Sequence, residues 1–266
     1  MLLALVNFGC HSGSVPKAVA TGLQKSYGLA RDGGGNFYAA SREGKTILKV
    51  SPGGKVSVFV GSGFGRPVGL ALDHAGNLFV ADGDSGKVQK VTPDGTVSAY
   101  CGGLCQPHDL AMDEAGNLYV TGIKCSTIYK ITPGGSKAVF AGDGKSGNLD
   151  GPAAKAEFRG PHGVAVGPDD TVYVGDSKNH CVRKIAGGMV STLAKDLANP
   201  QELAVDGQGN LYVSDEGAGI KKITPAGVVS LVTDVCRSPR GMVLDGEDLY
   251  VVDGDVLYQM KVSAGK

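Results

Sequence analysis

The chain has 266 residues, of which 43 are glycine and 12 are proline. Glycine at this density weakens helices everywhere, which argues against a helical bundle, and a 42% hydrophobic share argues against a disordered chain. The 26 basic residues balance the 26 acidic ones, so binding to nucleic acid or to an anionic membrane surface is not expected. With helical and disordered chains excluded, the glycines are expected in turns between many short strands, which predicts an all-β fold.

The chain begins with the apolar run Met1–Val6, and its first charged residue is Lys17. A membrane-spanning helix needs about 20 apolar residues, so we expect no transmembrane segment here or elsewhere. Residues 1–14 are either a leader before the first strand or a truncated secretion signal, in which Gly9-Cys10 resembles a lipoprotein cleavage site. The protein is accordingly either exported (periplasmic, lipid-anchored or extracellular) or cytoplasmic, and both alternatives stay open.

One segment recurs six times along the chain. A period near 40 residues is the length of one four-stranded propeller blade, and the one longer interval contains an insertion at about 142–159. The six copies start at Ser26, Pro67, Pro107, Pro161, Pro200 and Pro239.

The second copy shows how each unit divides into strands, which we name a to d in chain order. We expect strand a at Gly69–Leu72, strand b at Leu78–Ala81, strand c at Val88–Val91 and strand d at Val97–Tyr100. One position of strand b is aromatic in every unit, which indicates a packed stripe rather than a ligand cage. These aromatic residues are Tyr38, Phe79, Tyr119, Tyr173, Tyr212 and Tyr250.

The two ends of the chain complement each other. The sixth unit stops after its strand c at Val256–Met260, and the missing strand d is found at residues 15–20. Pairing of the two would remove both open edges of the ring. The sequence therefore predicts a single domain over residues 15–266, a six-bladed β-propeller of four-stranded antiparallel blades whose last blade is completed by the N-terminal strand.

The fourth unit carries the most specific motif. It reads Pro161-His-Gly-Val-Ala-Val and then Val172-Tyr-Val-Gly-Asp-Ser-Lys-Asn-His-Cys-Val-Arg-Lys-Ile185, and Ala141-Gly-Asp-Gly opens the insertion. In these segments the chain resembles the NHL-repeat family of β-propellers, over roughly residues 15–262, and the insertion is similar to one in bacterial members. The resemblance implies the fold but no single activity, since the family includes scaffolds, protein- and RNA-binding modules and a few enzymes.

Strands alternate in direction, so the longer d–a and b–c loops share one face, which we call the loop face. The residue after the start of each unit reaches the mouth of the central channel on that face, where converging polar groups would form a ligand site. The next residue is glycine in four units, but it is Asp109 in the third and Glu202 in the fifth. In ring order the mouth residues are Tyr27, Val68, His108, His162, Gln201 and Arg240.

The leading hypothesis for function is a monomeric, non-catalytic module that binds a protein or a small molecule through its loop face and channel mouth. A scaffold without a ligand is a further alternative. The scaffold alternative would hold if substitutions of Tyr27, Arg240 and Glu202 left every measured interaction of the protein intact.

The enzyme alternative is a metal-dependent lyase or hydrolase at the same mouth. The mouth is similar to that of peptide α-amidating lyases, six-bladed NHL-type enzymes with histidine-bound zinc and a nearby Arg and Tyr. This similarity implies zinc on His108 and His162, with Asp109 or Glu202 as a third ligand, since zinc accepts oxygen. Calcium is the other divalent metal considered for the channel mouth. Gluconolactonase-like and streptogramin-lyase-like propellers are similar in architecture, but their metal-ligand pattern is not found here and the latter have seven blades.

The cysteines leave two states open. In an exported protein, either Cys101–Cys105 or Cys105–Cys125 is the expected disulfide, whereas in the cytosol these residues would be free thiols. A cysteine zinc site usually needs two close pairs, and only the pair Cys101-x-x-x-Cys105 is present.

Overall fold

The computed structural model describes residues 15–262, and these residues form six four-stranded antiparallel sheets around a central channel. The six-bladed β-propeller predicted from the repeat is thereby confirmed. Within this range the helical segments are two 3₁₀ turns, Ala153–Lys155 and Ser177–Asn179, and neither could cross a membrane. The segment 1–14, with its expected leader and Cys10, lies outside the described residues.

Each blade runs outward from strand a at the channel to strand d at the rim. Blade 1 contains β2 (Leu29–Arg31), β3 (Phe37–Ser41), β4 (Thr46–Val50) and β5 (Val56–Val60). Blade 2 contains β6 (Pro67–Leu72), β7 (Leu78–Asp82), β8 (Lys87–Val91) and β9 (Val97–Cys101). Blade 3 contains β10 (Pro107–Met112), β11 (Leu118–Gly122), β12 (Thr127–Ile131) and β13 (Lys137–Ala141).

The second half of the ring follows the same plan. Blade 4 contains β15 (Pro161–Val166), β16 (Val172–Asp176), β17 (Cys181–Ala186) and β18 (Met189–Ala194), with β14 (Gly151–Pro152) added outside β18. Blade 5 contains β19 (Pro200–Val205), β20 (Leu211–Asp215), β21 (Gly219–Ile223) and β22 (Val229–Thr233). Blade 6 contains β23 (Pro239–Asp245), β24 (Asp248–Asp253), β25 (Val256–Lys261) and the N-terminal β1 (Lys17–Thr21).

The ring is closed by the pairing of β1 with β25. The two strands run antiparallel, from Lys17 opposite Gln259 to Thr21 opposite Val256. The backbone nitrogens of Gly22 and Leu23 then donate to the carbonyl of Asp255, which continues the contact beyond the strand. The predicted joining of the N-terminal strand to the last blade is therefore confirmed, with the strand at residues 17–21 rather than 15–20.

The Asp/Gly/Asn turn between strands a and b is a self-contained unit, which explains why it repeats. In blade 2, Asp73 Oδ1 accepts the backbone N–H of Asn77 at 2.7 Å, and the Asn77 side chain donates to Asp73 Oδ2 at 2.8 Å. Gly76 between them has a φ of 78°, which glycine adopts without strain. Because all of these bonds are local, the motif specifies a tight turn wherever it occurs in the chain.

The core of the propeller lies between neighbouring blades. Between blades 1 and 2, Ile47 and Val60 pack against Leu78 and Val80, and all four are nearly or fully buried. Burial of one such side chain contributes roughly 1.5–3 kcal/mol, so each of the six interfaces is a substantial hydrophobic cluster. The strand b aromatics join these clusters, as the sequence predicted for a packed stripe.

A recurring β-bulge prepares the channel mouth. In blades 2 to 6, the register of strand a against strand b shifts just after the first residue of strand a, for example between Pro67 and Leu70. The two residues inside each bulge are released from regular pairing with strand b. Bulges often reorient side chains beside functional sites, and here the two residues inside each bulge are the predicted mouth residue and the one that follows it.

The insertion before blade 4 is fastened by a buried arginine. The Arg183 side chain is fully buried and pairs with Asp176 at 2.9 Å and with Asp150 at 2.6 Å. Its Nη2 also donates to the carbonyl of Leu149, and its guanidinium lies over the ring of Phe158. This network binds the insertion to the outer part of blade 4, away from the channel axis.

Candidate functional site

Five of the six predicted mouth side chains contact one another in ring order. The imidazole rings of His108 and His162 are stacked with centroids 4.5 Å apart, and His162 is hydrogen-bonded to Gln201. Arg240 Nη1 donates to Gln201 Oε1 at 3.1 Å, and the Arg240 guanidinium lies 4.9 Å from the centre of the Tyr27 ring. Together these side chains form a continuous polar arc, which we call the mouth arc.

The sixth position of the ring, Val68, is apolar and buried. It lies in blade 2, between Tyr27 of blade 1 and His108 of blade 3. The mouth is therefore polar along the arc and apolar at one point of its circumference.

The two imidazoles differ in their partners. His162 Nδ1 lies 2.8 Å from Ser177 Oγ, and the Ser177 hydroxyl donates to the carbonyl of Pro200. Ser177 Oγ therefore accepts, and the proton at this contact belongs to His162 Nδ1. His108 Nδ1, in contrast, is buried and has no hydrogen-bond partner.

Burial lowers the pKa of both imidazoles, because removal from water disfavours the charged ring. The pKa of His108 lies well below its ordinary value, and the adjacent His162 and the positive charges of Arg66, Arg42 and Arg240 lower it further. Burial, together with the charges of Arg240 and Lys178, lowers the pKa of His162 to about 4. Both rings are consequently uncharged at neutral pH.

A second ring of mouth residues was missed in the sequence. The residue that follows strand b contacts the mouth arc in three blades: Arg42 donates to Tyr27 Oη at 3.1 Å, Ser177 bonds to His162, and Glu216 pairs with Arg240. The repeat register could have located this ring, since these residues occupy one equivalent position. Their types differ from blade to blade, however, so no pattern marked them.

Arg66 also belongs to the mouth and was not predicted. It directly precedes the first residue of strand a in blade 2, and its Nε lies 2.9 Å from Asp84 Oδ1. Its Nη2 is buried without a hydrogen-bond partner. The mouth therefore holds two orphaned nitrogens, Arg66 Nη2 and His108 Nδ1.

Directly below the mouth the channel narrows to a waist, where the six strands a approach most closely. A Cβ on Gly69 would lie 2.5 Å from Asp109 Oδ1, and one on Gly163 would lie 2.4 Å from the carbonyl oxygen of Gln201. Glycine is thus required between close backbones at these waist positions. Asp109 and Glu202 occupy the two waist positions that lack glycine, and both lie one level below the histidines.

The two waist acids bond to each other across the channel. Asp109 Oδ2 accepts the backbone N–H of Val164 at 2.8 Å, and its carboxyl group is hydrogen-bonded to that of Glu202. Burial raises the pKa of Asp109 to about 7. Burial, with the nearby charge of Asp109, raises the pKa of Glu202 well above its ordinary value. The pair therefore keeps a shared proton at neutral pH, and Glu202 is the donor.

Hydroxyl groups support the two acids from strand b. Thr121 Oγ1 accepts the backbone N–H of Asp109 at 3.0 Å, and Ser214 Oγ accepts that of Glu202 at 2.9 Å. The equivalent residues in the four blades with a waist glycine have no hydroxyl: they are Ala40, Ala81, Gly175 and Val252. A strand b hydroxyl at this position therefore occurs only in the two blades that carry a waist acid, where it accepts the backbone N–H of that acid.

Below the waist, the channel opens as a well of about 320 Å³ toward the face with the short turns. Its wall is formed by strands a and carries mostly apolar side chains, with Arg31 and Glu202 as its charged residues. Arg31 and Asp245 form an ion pair of 2.9 Å between blades 1 and 6. The waist carboxyls thus lie between this well and the mouth.

The mouth does not fit the metal site implied by the resemblance. In the chain from residue 15 to 262, no three side chains of His, Cys, Asp or Glu are grouped so that they could hold a metal ion. The rings of His108 and His162 are inclined by only 24°, so their in-plane lone pairs do not converge on one point. Asp109 and Glu202 bond to each other below the rings, and the cations around His108 would repel a zinc or calcium ion.

Of the two disulfides considered, the structure contains Cys105–Cys125. It links the connection into blade 3 to the loop between β11 and β12. Cys101 is a buried free thiol at the end of β9 and does not pair with Cys105. The disulfide therefore braces the loops beside His108 on the loop face.

The family model of the NHL repeat matches residues 158–185, from the end of the insertion into β17. The resemblance drawn from the fourth unit is confirmed by this match and by the six-bladed arrangement. A search of curated proteins found no match.

Solved structures with a similar fold include enzymes. A gluconolactonase from Xanthomonas campestris has 18% identity and a TM-score of 0.76, over 94% of this chain and 90% of that one. Virginiamycin B lyase from Staphylococcus aureus has 15% identity and a TM-score of 0.70, over 94% and 99%. A catalytically inactive variant of that lyase with quinupristin has 16% identity and a TM-score of 0.68, over 90% and 81%. At these identities the similarity shows a shared fold alone.

Proposed function

We propose that the protein is a binding module for a small ligand at the channel mouth. The observation that carries this proposal is the buried Nδ1 of His108, which has no hydrogen-bond partner. An unsatisfied buried polar atom costs about 1–3 kcal/mol, and a ligand that bonds to this nitrogen would recover that free energy. The contacts within the mouth arc are already made, which reduces the ordering that binding would require.

The recessed position of the site favours a small molecule over a protein partner. Gln201 is only 5% exposed, and His108 and His162 are partly buried. A flat protein surface would contact the surrounding loops without reaching these groups, whereas a small molecule or a protruding side chain could reach them.

A thermal-shift screen of neutral, anionic and cationic small molecules, followed by calorimetry, tests this proposal. We expect a compound that binds the wild-type protein to bind His108→Ala at least about tenfold more weakly, which corresponds to one lost hydrogen bond. Thr92→Ala is the matched control, because Thr92 lies in the short turn of blade 2 on the opposite face. This variant should bind the compound with the affinity of the wild type. Equal affinity for the two variants, or no binder in the screen, would contradict the proposal.

A second candidate, a lyase or hydrolase at the same mouth, is favoured by one observation. The two imidazoles are kept uncharged by burial, so each has an unprotonated ring nitrogen at neutral pH, which is the state that a general base requires. Lyases and lactonases among the structures of similar fold support this candidate. Turnover of gluconolactone or quinupristin by the wild type, and its loss in His162→Ala, would establish it. Equal turnover by the variant would place any activity elsewhere.

A further inference from the structure

Two arginines share the ring of Tyr27 at the edge of the mouth arc. The guanidinium carbons of Arg240 and Arg42 lie 4.9 Å and 5.1 Å from the ring centroid. Arg42 donates to Tyr27 Oη, and within residues 15–262 it is in no ion pair. Stacking on an aromatic ring fixes a guanidinium in place, so the Arg42 side chain is ordered although no carboxylate neutralises its charge.

Arg240 also keeps donors free. Its Nη1 bonds to Gln201 and its Nη2 to Glu216. A guanidinium has five N–H groups in a planar fork, so these two bonds leave three N–H groups for another acceptor. The groups that hold Arg240 therefore orient it without saturating it.

The electrostatic surroundings of the mouth are cationic. The charged neighbours that act on His108 are Arg66, Arg42 and Arg240, and those that act on His162 are Arg240 and Lys178. The overall charge of the chain is balanced, so this local excess comes from the way the loops are arranged. Arg66 is paired with Asp84 and Arg240 with Glu216, so Arg42 supplies the uncompensated positive charge beside the mouth arc, which would attract an anionic ligand.

A cavity of about 280 Å³ lies beside the Tyr27 ring, between blades 1 and 6. Its lining contains two cations and no acidic residue, and it shares Tyr27 and Arg240 with the mouth arc. A water molecule occupies about 30 Å³ in the liquid, so the cavity could hold a carboxylate or phosphate with several attached atoms. The lining residues are Lys25, Ser26, Tyr27, Ser238, Arg240 and Gly254.

The backbone that presents Lys25 is held in an uncommon conformation. Gln24 and Lys25 have φ values of 53° and 52°, in the left-handed region that residues other than glycine rarely adopt. Asp255 fixes this turn by accepting the backbone N–H of Gln24 at 2.7 Å. Such conformations persist where the surroundings enforce them, and this one sets Lys25 at the rim of the cavity.

We infer that the ligand of the mouth carries an oxyanion, a carboxylate or a phosphate, which occupies this cavity on Arg240 and Lys25. Arg42, on the same tyrosine ring, contributes the unpaired positive charge. The inference rests on the proposed function, because it assigns the anionic end of the ligand whose other end would meet His108. Arg240 offers the planar fork that suits a carboxylate, and Lys25 offers a point charge that suits either anion.

Acetate and inorganic phosphate, titrated into ¹⁵N-labelled protein at constant ionic strength, test the inference, with acetamide as the uncharged analogue. We expect at least one anion to shift the resonances of residues around the cavity, and acetamide not to do so. Loss of one charged hydrogen bond should raise the Kd at least about tenfold in Arg240→Gln. Lys25→Gln, which alters an exposed side chain, provides a second variant with little risk to folding.

Arg237→Gln is the matched control, since it removes an exposed arginine from the same loop outside the cavity lining. Equal weakening in Arg237→Gln and in both cavity variants, or no response to either anion, would overturn the inference. If the screen instead yields neutral ligands whose binding is weakened by His108→Ala but not by Arg240→Gln or Lys25→Gln, the oxyanion inference is wrong while the proposed function stands. The anion that binds more tightly identifies whether the site suits carboxylate or phosphate.

Discussion

Replacement of Asp109 by asparagine tests the raised pKa of this carboxyl group at the waist of the channel. The amide oxygen of asparagine can still accept the backbone N–H of Val164, which Asp109 Oδ2 accepts at 2.8 Å. The variant therefore keeps the size and the main hydrogen bond of the side chain but cannot ionise. Any change in its pH dependence then reports on the titration of the Asp109–Glu202 pair.

The expected magnitude follows from the pKa of Asp109, which burial raises from 3.8 to about 7. The folded protein holds the Asp109 proton more tightly than the unfolded chain does, so protonation of Asp109 stabilises the fold. This contribution to the unfolding free energy is complete below about pH 4 and is lost as the pH rises through 7. Between these two pH values, each pH unit lowers the unfolding free energy by about 1.4 kcal/mol. From about pH 5 to pH 8, the wild type should therefore lose roughly 2–3 kcal/mol of unfolding free energy that Asp109→Asn does not lose.

Urea unfolding of both proteins across this pH range provides the assay. The imidazoles titrate in the opposite direction, since their lowered pKa values make the fold less stable as the pH falls from 6.5 through about 4. That effect is common to both proteins and cancels in their difference. Asp234→Asn, an exposed site, is the control. A difference between Asp109→Asn and wild type that stays constant with pH would refute the raised pKa of Asp109.

Three further predictions concern the scaffold. Gly69→Ala would place a Cβ 2.6 Å from the Asp109 Cα, and it should lower the unfolding free energy measured by urea titration by about 1–3 kcal/mol or more. Gly33→Ala is the control: a Cβ there has nothing within 4 Å, so the unfolding free energy should change by less than about 0.5 kcal/mol. Replacing Cys105 and Cys125, which are 20 residues apart, by serine should cost roughly 3 kcal/mol; equal urea midpoints of the wild type with and without reductant would contradict this. Deletion of residues 15–20 should abolish cooperative unfolding or cause aggregation, and unchanged melting and solubility would refute closure by β1.

The fold was predictable because its determinants are local and repeated. The bonds between Asp73 and Asn77 lie within one turn, so the same letters specify the same turn in several blades. Ring closure could be inferred because the sixth unit lacks a strand that residues 15–20 supply. The exact strand limits were shifted by one or two residues, since pairing between strands rather than local sequence decides where a strand ends.

The site was predictable only in part. The repeat register located His108, His162 and Gln201 at the mouth, because equivalent positions in a ring of blades face the same axis. Arg42 and Arg66 were missed because they lie in loops whose sequences differ from blade to blade.

Pairing across the channel could not be derived from spacing. The bond between Asp109 and Glu202 joins blades 3 and 5, and it depends on the width of the waist. The stacking of His108 on His162 has the same origin, since it depends on how closely blades 3 and 4 approach at the mouth. The choice of Cys105–Cys125 also depended on how two loops approach each other.

The most direct test of ligand binding at the mouth is a crystal structure of the protein with the compound that gives the largest thermal shift in the screen. The account predicts a polar atom of that compound within about 2.7–3.2 Å of His108 Nδ1, the nitrogen that now has no partner. A compound bound elsewhere on the propeller, with His108 Nδ1 still unpaired, would contradict the account.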